Sequence, residues 1–215
     1  MRNQIFAALI LLGVNCFAQN RVGNGGDVIV CDGSDNHSAS AKAKNKNIEL
    51  LDFYEEPKNL ISKLTSSDPW VIADNRFKAI AEYAPKLSAQ YVERLKQIKS
   101  EFDFKDNVVL ANIQDSEHLF MPDDKDCKLQ QIVIRKNYTS QSEQRFVISK
   151  KLWTQLSPLH QAGLISHEIV YEHFYKLGEQ NSIKARKMNR ALFSEKTEKT
   201  SFWNLVKELE IQIYP

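Results

Sequence analysis

One segment near the C-terminus constrains the fold more than any other. Ser157-Pro158 opens it and Gly178 closes it, which predicts a helix over 158–177. Serine at the N-cap offers its side-chain oxygen to an unpaired helical N–H, and proline at the first helical position forfeits no hydrogen bond. Glycine after the last turn accepts the left-handed backbone that ends many helices. At about 100° per residue, Leu164, Val170, Phe174 and Tyr175 fall within roughly 80° of His167, on one apolar face. Other parts of the chain have to cover such a face.

Hydrophobic spacing supplies those other parts. Strands are expected at Val28–Cys31, Ile48–Tyr54, Val108–Ile113, Leu129–Arg135 and Gln144–Ser149, the last two as a hairpin around 137–142. Helices are expected at Asn59–Leu64, from Asp74 to Ala84, and from Pro85 to Phe102, with Ser67-Asp68-Pro69 as a turn. In the third of these, Leu87, Tyr91, Leu95, Ile98 and Phe102 recur at the spacing of a core-facing stripe. Beyond the long helix, two more are expected at Ser182–Phe193 and Ser201–Ile211. Strands early and helices late predict the α+β class, a small antiparallel sheet packed by helices with an all-helical C-terminal third.

The first residues have a different character. Met1-Arg2-Asn3-Gln4 precedes an apolar run from Ile5 to Val14, and Cys16 and Ala18 stand where a signal peptidase needs small residues. Residues 1–18 are therefore expected to be a cleaved signal peptide, leaving 19–215 as one α+β domain that is periplasmic or extracellular. The apolar run is shorter than the roughly 20 residues that span a bilayer, and no later segment is apolar enough to be an integral membrane span. Lipidation at Cys16 is the alternative, although Gly13-Val14-Asn15 approaches it poorly.

Loss of Arg2 with the leader takes the formal charge from +2 to +1. A nucleic-acid partner, which calls for a strongly basic face, is not expected. Lys42, Lys44 and Lys46 read as a solvated loop. Two cysteines remain after cleavage, Cys31 and Cys127, an even number with one pairing, a disulfide; two separate buried thiols are the alternative.

Several motifs carry no chemistry. The glycines at Gly23, Gly25 and Gly26 precede a strand, whereas a phosphate loop follows one. Asp123, Asp124 and Asp126 lack the glycine-turned loop and terminal Glu of a calcium site. Asn36-His37-Ser38 and Asn137-Tyr138-Thr139 match the glycosylation sequon and read as loops. No Ser/His/Asp or Cys/His arrangement stands out.

Chemistry concentrates on the long helix. His167 lies mid-face with His160 and Tyr171 near the same direction, Glu168 at the flank, and His173 pointing away. The stretch Gly163-Leu164-Ile165-Ser166-His167-Glu168 resembles the active-site helix of zinc metallopeptidases, in which His-Glu-x-x-His binds the metal and the Glu activates water. That resemblance implies His167 as a zinc ligand and Glu168 as general base, the catalytic pair of a diverged metallopeptidase-like hydrolase acting on peptide or cell-wall substrates. The second ligand position holds Tyr171, a poor zinc ligand, and His160 is about 10 Å away along the axis. Glu179 and His118 are the remaining candidate ligands, and the helix after Gly178 is basic, which disfavours a cation. Metal-free catalysis or ligand binding is a further alternative. The other reading is a buried His-Glu-Tyr cluster, with His160 and Tyr171, that fixes helix packing in a non-catalytic protein.

Gly25-Gly26-Asp27-Val28-Ile29-Val30-Cys31, Ile48-Glu49-Leu50-Leu51-Asp52-Phe53-Tyr54, Cys127-Lys128-Leu129-Gln130-Gln131-Ile132, the His167-Glu168 helix and Gly178-Glu179-Gln180-Asn181-Ser182 follow in order. In this order the whole mature chain resembles a family of uncharacterised secreted proteins of predatory Gram-negative bacteria. The resemblance implies export, pairing of Cys31 with Cys127 and a shared His-Glu-Tyr helix; an unidentified envelope or prey-surface partner is expected. It implies no established activity.

Overall fold

The computed structural model describes residues 23–24, 26–32, 46–55, 60–61, 63–111, 126–136, 145–195 and 198–213. The leader with Cys16, Lys42, Lys44, both sequons, His118, Asp123, Asp124 and the 137–142 loop lie outside these residues.

The strands form two sheets. In the first, β2 (Asp27–Asp32) lies between β3 (Lys46–Leu50) and β5 (Cys127–Gln131), all antiparallel. Cys31 and Cys127 are register partners across β2 and β5, and they form the disulfide. Their 96-residue separation makes the bridge worth about 4 to 5 kcal/mol in the chain-entropy model. The second sheet has the order β1 (Gly23–Asn24), β6 (Val133–Arg135), β7 (Phe146–Ser149), β4 (Phe102–Lys105). Within it β6 and β7 pair antiparallel, as expected of a hairpin's arms, but the strand expected over Leu129–Arg135 divides at Ile132 and gives its first part to the other sheet as β5; β4 joins β7 in parallel.

Helices surround these sheets: α1 (Leu51–Tyr54), α2 (Pro69–Ala79), α3 (Pro85–Ile98), α4 (Lys150–Trp153), α5 (Pro158–Lys176), α6 (Ile183–Leu192) and α7 (Lys199–Glu208). The α+β class and the helical C-terminal third are as expected. Ser157 caps α5 by accepting from the His160 N–H, and Gly178 takes φ +103° beyond its end. Instead of presenting one face, α5 is buried on every side from Ala162 to Glu172, because α2, α3, α6 and β3 all pack on it. Two glycines permit this. A Cβ on Gly163 would strike the Phe53 ring, and one on Gly26 would strike Leu164.

Other elements depart from expectation, each because a tertiary partner overrides local pattern. The strand expected through Tyr54 stops at Leu50 and becomes α1, which turns Phe53 toward Phe193. The helix expected at Asn59–Leu64 is absent among its described residues. There Leu60 bridges Ser194, and the Ile61 N–H donates to the Phe193 carbonyl. Helix α2 starts at Pro69, with Asp68 capping it through the Trp70 N–H, so the expected turn is an N-cap. Helix α3 ends at Ile98, and Phe102 serves as the first residue of β4, opposite Phe146. Since β4 occupies that sheet edge, residues 108–111 of the expected 108–113 strand stay irregular, and Val109 lies open to solvent. Tyr175, expected on the core face, is 44% exposed.

Candidate functional site

Because α1 follows β3 without a loop, the acid in Leu51-Asp52-Phe53 is carried into the interior facing α5. Asp52 is fully buried, and its Oδ2 lies 2.8 Å from Nδ1 of His167, itself 1% exposed. Asn189 of α6 completes the junction, donating from Nδ2 to Asp52 Oδ2 at 2.6 Å and to the Gly163 carbonyl at 2.9 Å. One carboxylate thus ties α1, α5 and α6 together. Arg186 donates to Ser182 Oγ and pairs with Glu55, while Arg190 bonds Glu55 and the Asp52 carbonyl.

Glu168 is equally deep and faces the other way. Its Oε1 accepts from the Gly26 N–H at 2.8 Å, which joins α5 to the start of β2. A side chain on Gly26 would run into Leu164, the α5 residue one turn before Glu168. Burial pushes the Glu168 carboxyl above its ordinary value, against the pull of His167, Arg135 and the Gly26 N–H. For His167, burial favours the neutral ring, but the ion pair and hydrogen bond with Asp52 outweigh it and raise the imidazole to about 9. Asp52 moves the opposite way, since His167, Asn189 and Arg186 overcome the burial that would raise it. The pair is therefore an imidazolium–carboxylate pair at neutral pH.

Both sequence-identified residues keep a spare atom. His167 Nε2 and Glu168 Oε2 are buried without a hydrogen-bond partner among the described residues, as are Asp52 Oδ1, Asn189 Oδ1 and Ser166 Oγ. A carboxylate on Nδ1 that leaves Nε2 free is the way proteins orient a metal-binding imidazole. The remaining donors do not fit zinc. No group of three His, Cys, Asp or Glu able to hold a metal occurs among the described residues. Tyr171 fills the second ligand position with its ring 6.0 Å from that of His167, and Glu179 pairs with Lys184. The arrangement can hold two opposite charges and pass a proton between Asp52 and His167; the Glu168 carboxyl beside them is held at Oε1 by the Gly26 N–H and has Oε2 unbonded among the described residues.

His160 does not join this cluster. Its Nδ1 accepts from the Leu50 N–H at 2.8 Å and its ring meets Phe53 edge-on, so it terminates β3. Burial holds it below its ordinary value, against Glu49, which keeps that nitrogen free to accept. Tyr171 is buried beside His167 and lies under the guanidinium of Arg135. His173 leads elsewhere, to the Tyr91 hydroxyl at 3.0 Å. That pair borders a cleft of about 250 Å³ between α3 and α5, lined also by Arg94 and Glu172.

Sequence reasoning missed Asp52, Asn189 and Arg135. Asp52 offered one signal, an acid inside the run Ile48-Glu49-Leu50-Leu51-Asp52-Phe53-Tyr54. A strand reading sends alternate residues of that run outward and gives no reason to aim it at α5. Asn189 sits in a helix whose basic character drew attention away from it. No family model, curated protein or solved structure matches the chain.

Proposed function

We propose that the protein is an exported envelope component, periplasmic or extracellular, that acts by binding and not by catalysis, with the Asp52–His167–Asn189 junction as its structural keystone. The observation that carries this reading is the burial of His167 and Glu168, 1% and 0% exposed, each tied to a different element. A substrate cannot reach either group without the surrounding helices moving apart. The Cys31–Cys127 bridge suits an oxidising compartment. No helix among the described residues is long and apolar enough to cross a membrane. On the resemblance set out above, we place the chain with the secreted proteins of predatory Gram-negative bacteria and assign it an envelope or prey-surface partner.

Replacing His167 by alanine tests the reading. A structural role predicts a cooperative loss of stability, because Asp52 is left as a buried charge without its counter-charge. A fold as stable as the parent, with a measurable hydrolytic activity abolished, would overturn it. The free Nε2 and Oε2 atoms favour a second reading, a diverged metallopeptidase-like hydrolase with Glu168 as base. Zinc bound stoichiometrically by the purified protein, measured by elemental analysis, would establish that version.

A further inference from the structure

The arginines that lie in or near the interior have acceptors, with one exception. Arg94 donates to Glu101 and Glu172, and Arg145 pairs with both of the same carboxylates. Arg186 and Arg190 reach Glu55, and Arg76 donates to the Leu192 and Ser194 carbonyls. Arg135, the last residue of β6, is only 3% exposed, yet its guanidinium donates to no acceptor among the described residues. What it has is aromatic surface. Its Cζ lies 4.9 Å from the Tyr171 ring centroid and 4.6 Å from that of Tyr175.

Cation–π contact engages the charge and leaves the N–H hydrogens of the guanidinium unused. No Arg135 nitrogen is among the buried atoms left without a partner, so the little of this residue that is exposed includes the edge of its guanidinium, where N–H hydrogens can meet a ligand. Glu168 is the neighbouring carboxylate. It feels the Arg135 charge, but the two form no ion pair, and Glu168 Oε2 is itself unbonded. Tyr175 is 44% exposed, so its ring is open to solvent beside the Arg135 guanidinium.

We propose that Arg135, with Tyr171 and Tyr175 beside it, is the anchor of a binding site for the carboxylate group of a ligand with an apolar body. The planar fork of a guanidinium matches a carboxylate with two parallel hydrogen bonds. The tyrosine rings give the rest of the ligand an apolar wall. A single guanidinium facing a buried Glu168 favours a singly charged carboxylate over a doubly charged phosphate. This site deepens the binding reading by naming what the partner presents. The keystone role of His167 is read from stability and stands or falls separately.

The test is a titration of the purified, disulfide-bonded protein followed by the ¹⁵N–¹H signal of Arg135 Nε. Three probes are compared at constant ionic strength: N-acetylphenylalanine, its C-terminal amide, and inorganic phosphate. The acid is expected to shift the signal saturably, with the amide and the Arg135→Lys protein each at least about ten-fold weaker. Should Arg135→Lys fail to fold, Tyr175→Ala removes a half-exposed wall and should weaken the acid at least about three-fold. Equal binding of acid and amide, saturation by phosphate alone, or no saturation by any probe would each overturn the proposal. So would undiminished binding by both variants.

Discussion

Helix α5 carries two buried carboxylates one turn apart, and the protein treats them in opposite ways. Glu172 is surrounded by cations: Arg94 donates twice to its Oε2, at 2.8 and 3.0 Å, Arg145 stands at 3.4 Å, and Lys176 takes Oε1 at 2.7 Å. These cations overcome the burial that would raise it and hold it down to about 2. Glu168 receives one backbone N–H, keeps one oxygen unbonded, and is pushed up by burial. A network in which every carboxylate oxygen is engaged fixes a fold. A buried group with a spare atom marks a position retained for something besides packing. The difference separates a carboxylate of α5 that is fully used in holding the helix in place from one that keeps an atom to spare within reach of the Arg135 charge.

The sharpest way to break the comparison is at the keystone. His167→Ala strands the Asp52 charge and should cost about 3 to 5 kcal/mol, read as a shift of the guanidinium unfolding midpoint with unchanged slope. A cost below about 1 kcal/mol, the size of an ordinary net hydrogen bond, would mean that Asp52 is not held as a charge at all.

Proton linkage tests the same junction without mutation. The His167 imidazolium is held above its ordinary value, so its stabilisation is complete below about pH 6.5 and is lost as the pH rises through about 9. Unfolding free energy should therefore fall between those limits by up to about 3 kcal/mol, and the alanine variant should lack the slope. Glu172 gives the mirror image, because its carboxyl is depressed. Its stabilisation is present above about pH 4.5 and disappears as the pH falls toward about 2. Glu172→Gln should cost about 1 to 3 kcal/mol at neutral pH, by leaving charged donors short of an acceptor. A variant as stable as the parent would show that Arg94 and Arg145 are satisfied by Glu101 alone.

How much of this was legible beforehand follows from distance along the chain. His167 and Glu168 announced themselves as a polar pair inside an apolar helix, and the caps at Ser157 and Gly178 set that helix almost to the residue. Their partners lie far off in sequence: Asp52 is 115 residues from His167, and Gly26 is 142 from Glu168. Helical periodicity reports which side chains share a face; it says nothing about what a distant segment brings to that face. The strand-to-helix break after Leu50 was invisible for a related reason, since Leu51 and Phe53 carry enough apolar character to suit either conformation. Tyr175 shows the converse error. Its angular position put it on the core stripe, but the element covering that end of α5 is a strand ending in Arg135, which leaves the ring half open.

The smallest effect discriminates best between a keystone and a catalyst. Glu168→Gln keeps an oxygen for the Gly26 N–H and removes the carboxylate that burial disfavours. Because the folded carboxyl is raised, its ionisation destabilises the fold above the ordinary titration range, and the glutamine variant escapes that cost. It should be more stable than the parent by about 1 kcal/mol at pH 8 and nearly equal at pH 4, measured by chemical unfolding at both. The sign matters more than the size. A stabilising Glu168→Gln means that the ionised carboxylate is held at a cost to the fold. A destabilising substitution at both pH values would instead place Glu168 with Glu172, as one more bolt in α5.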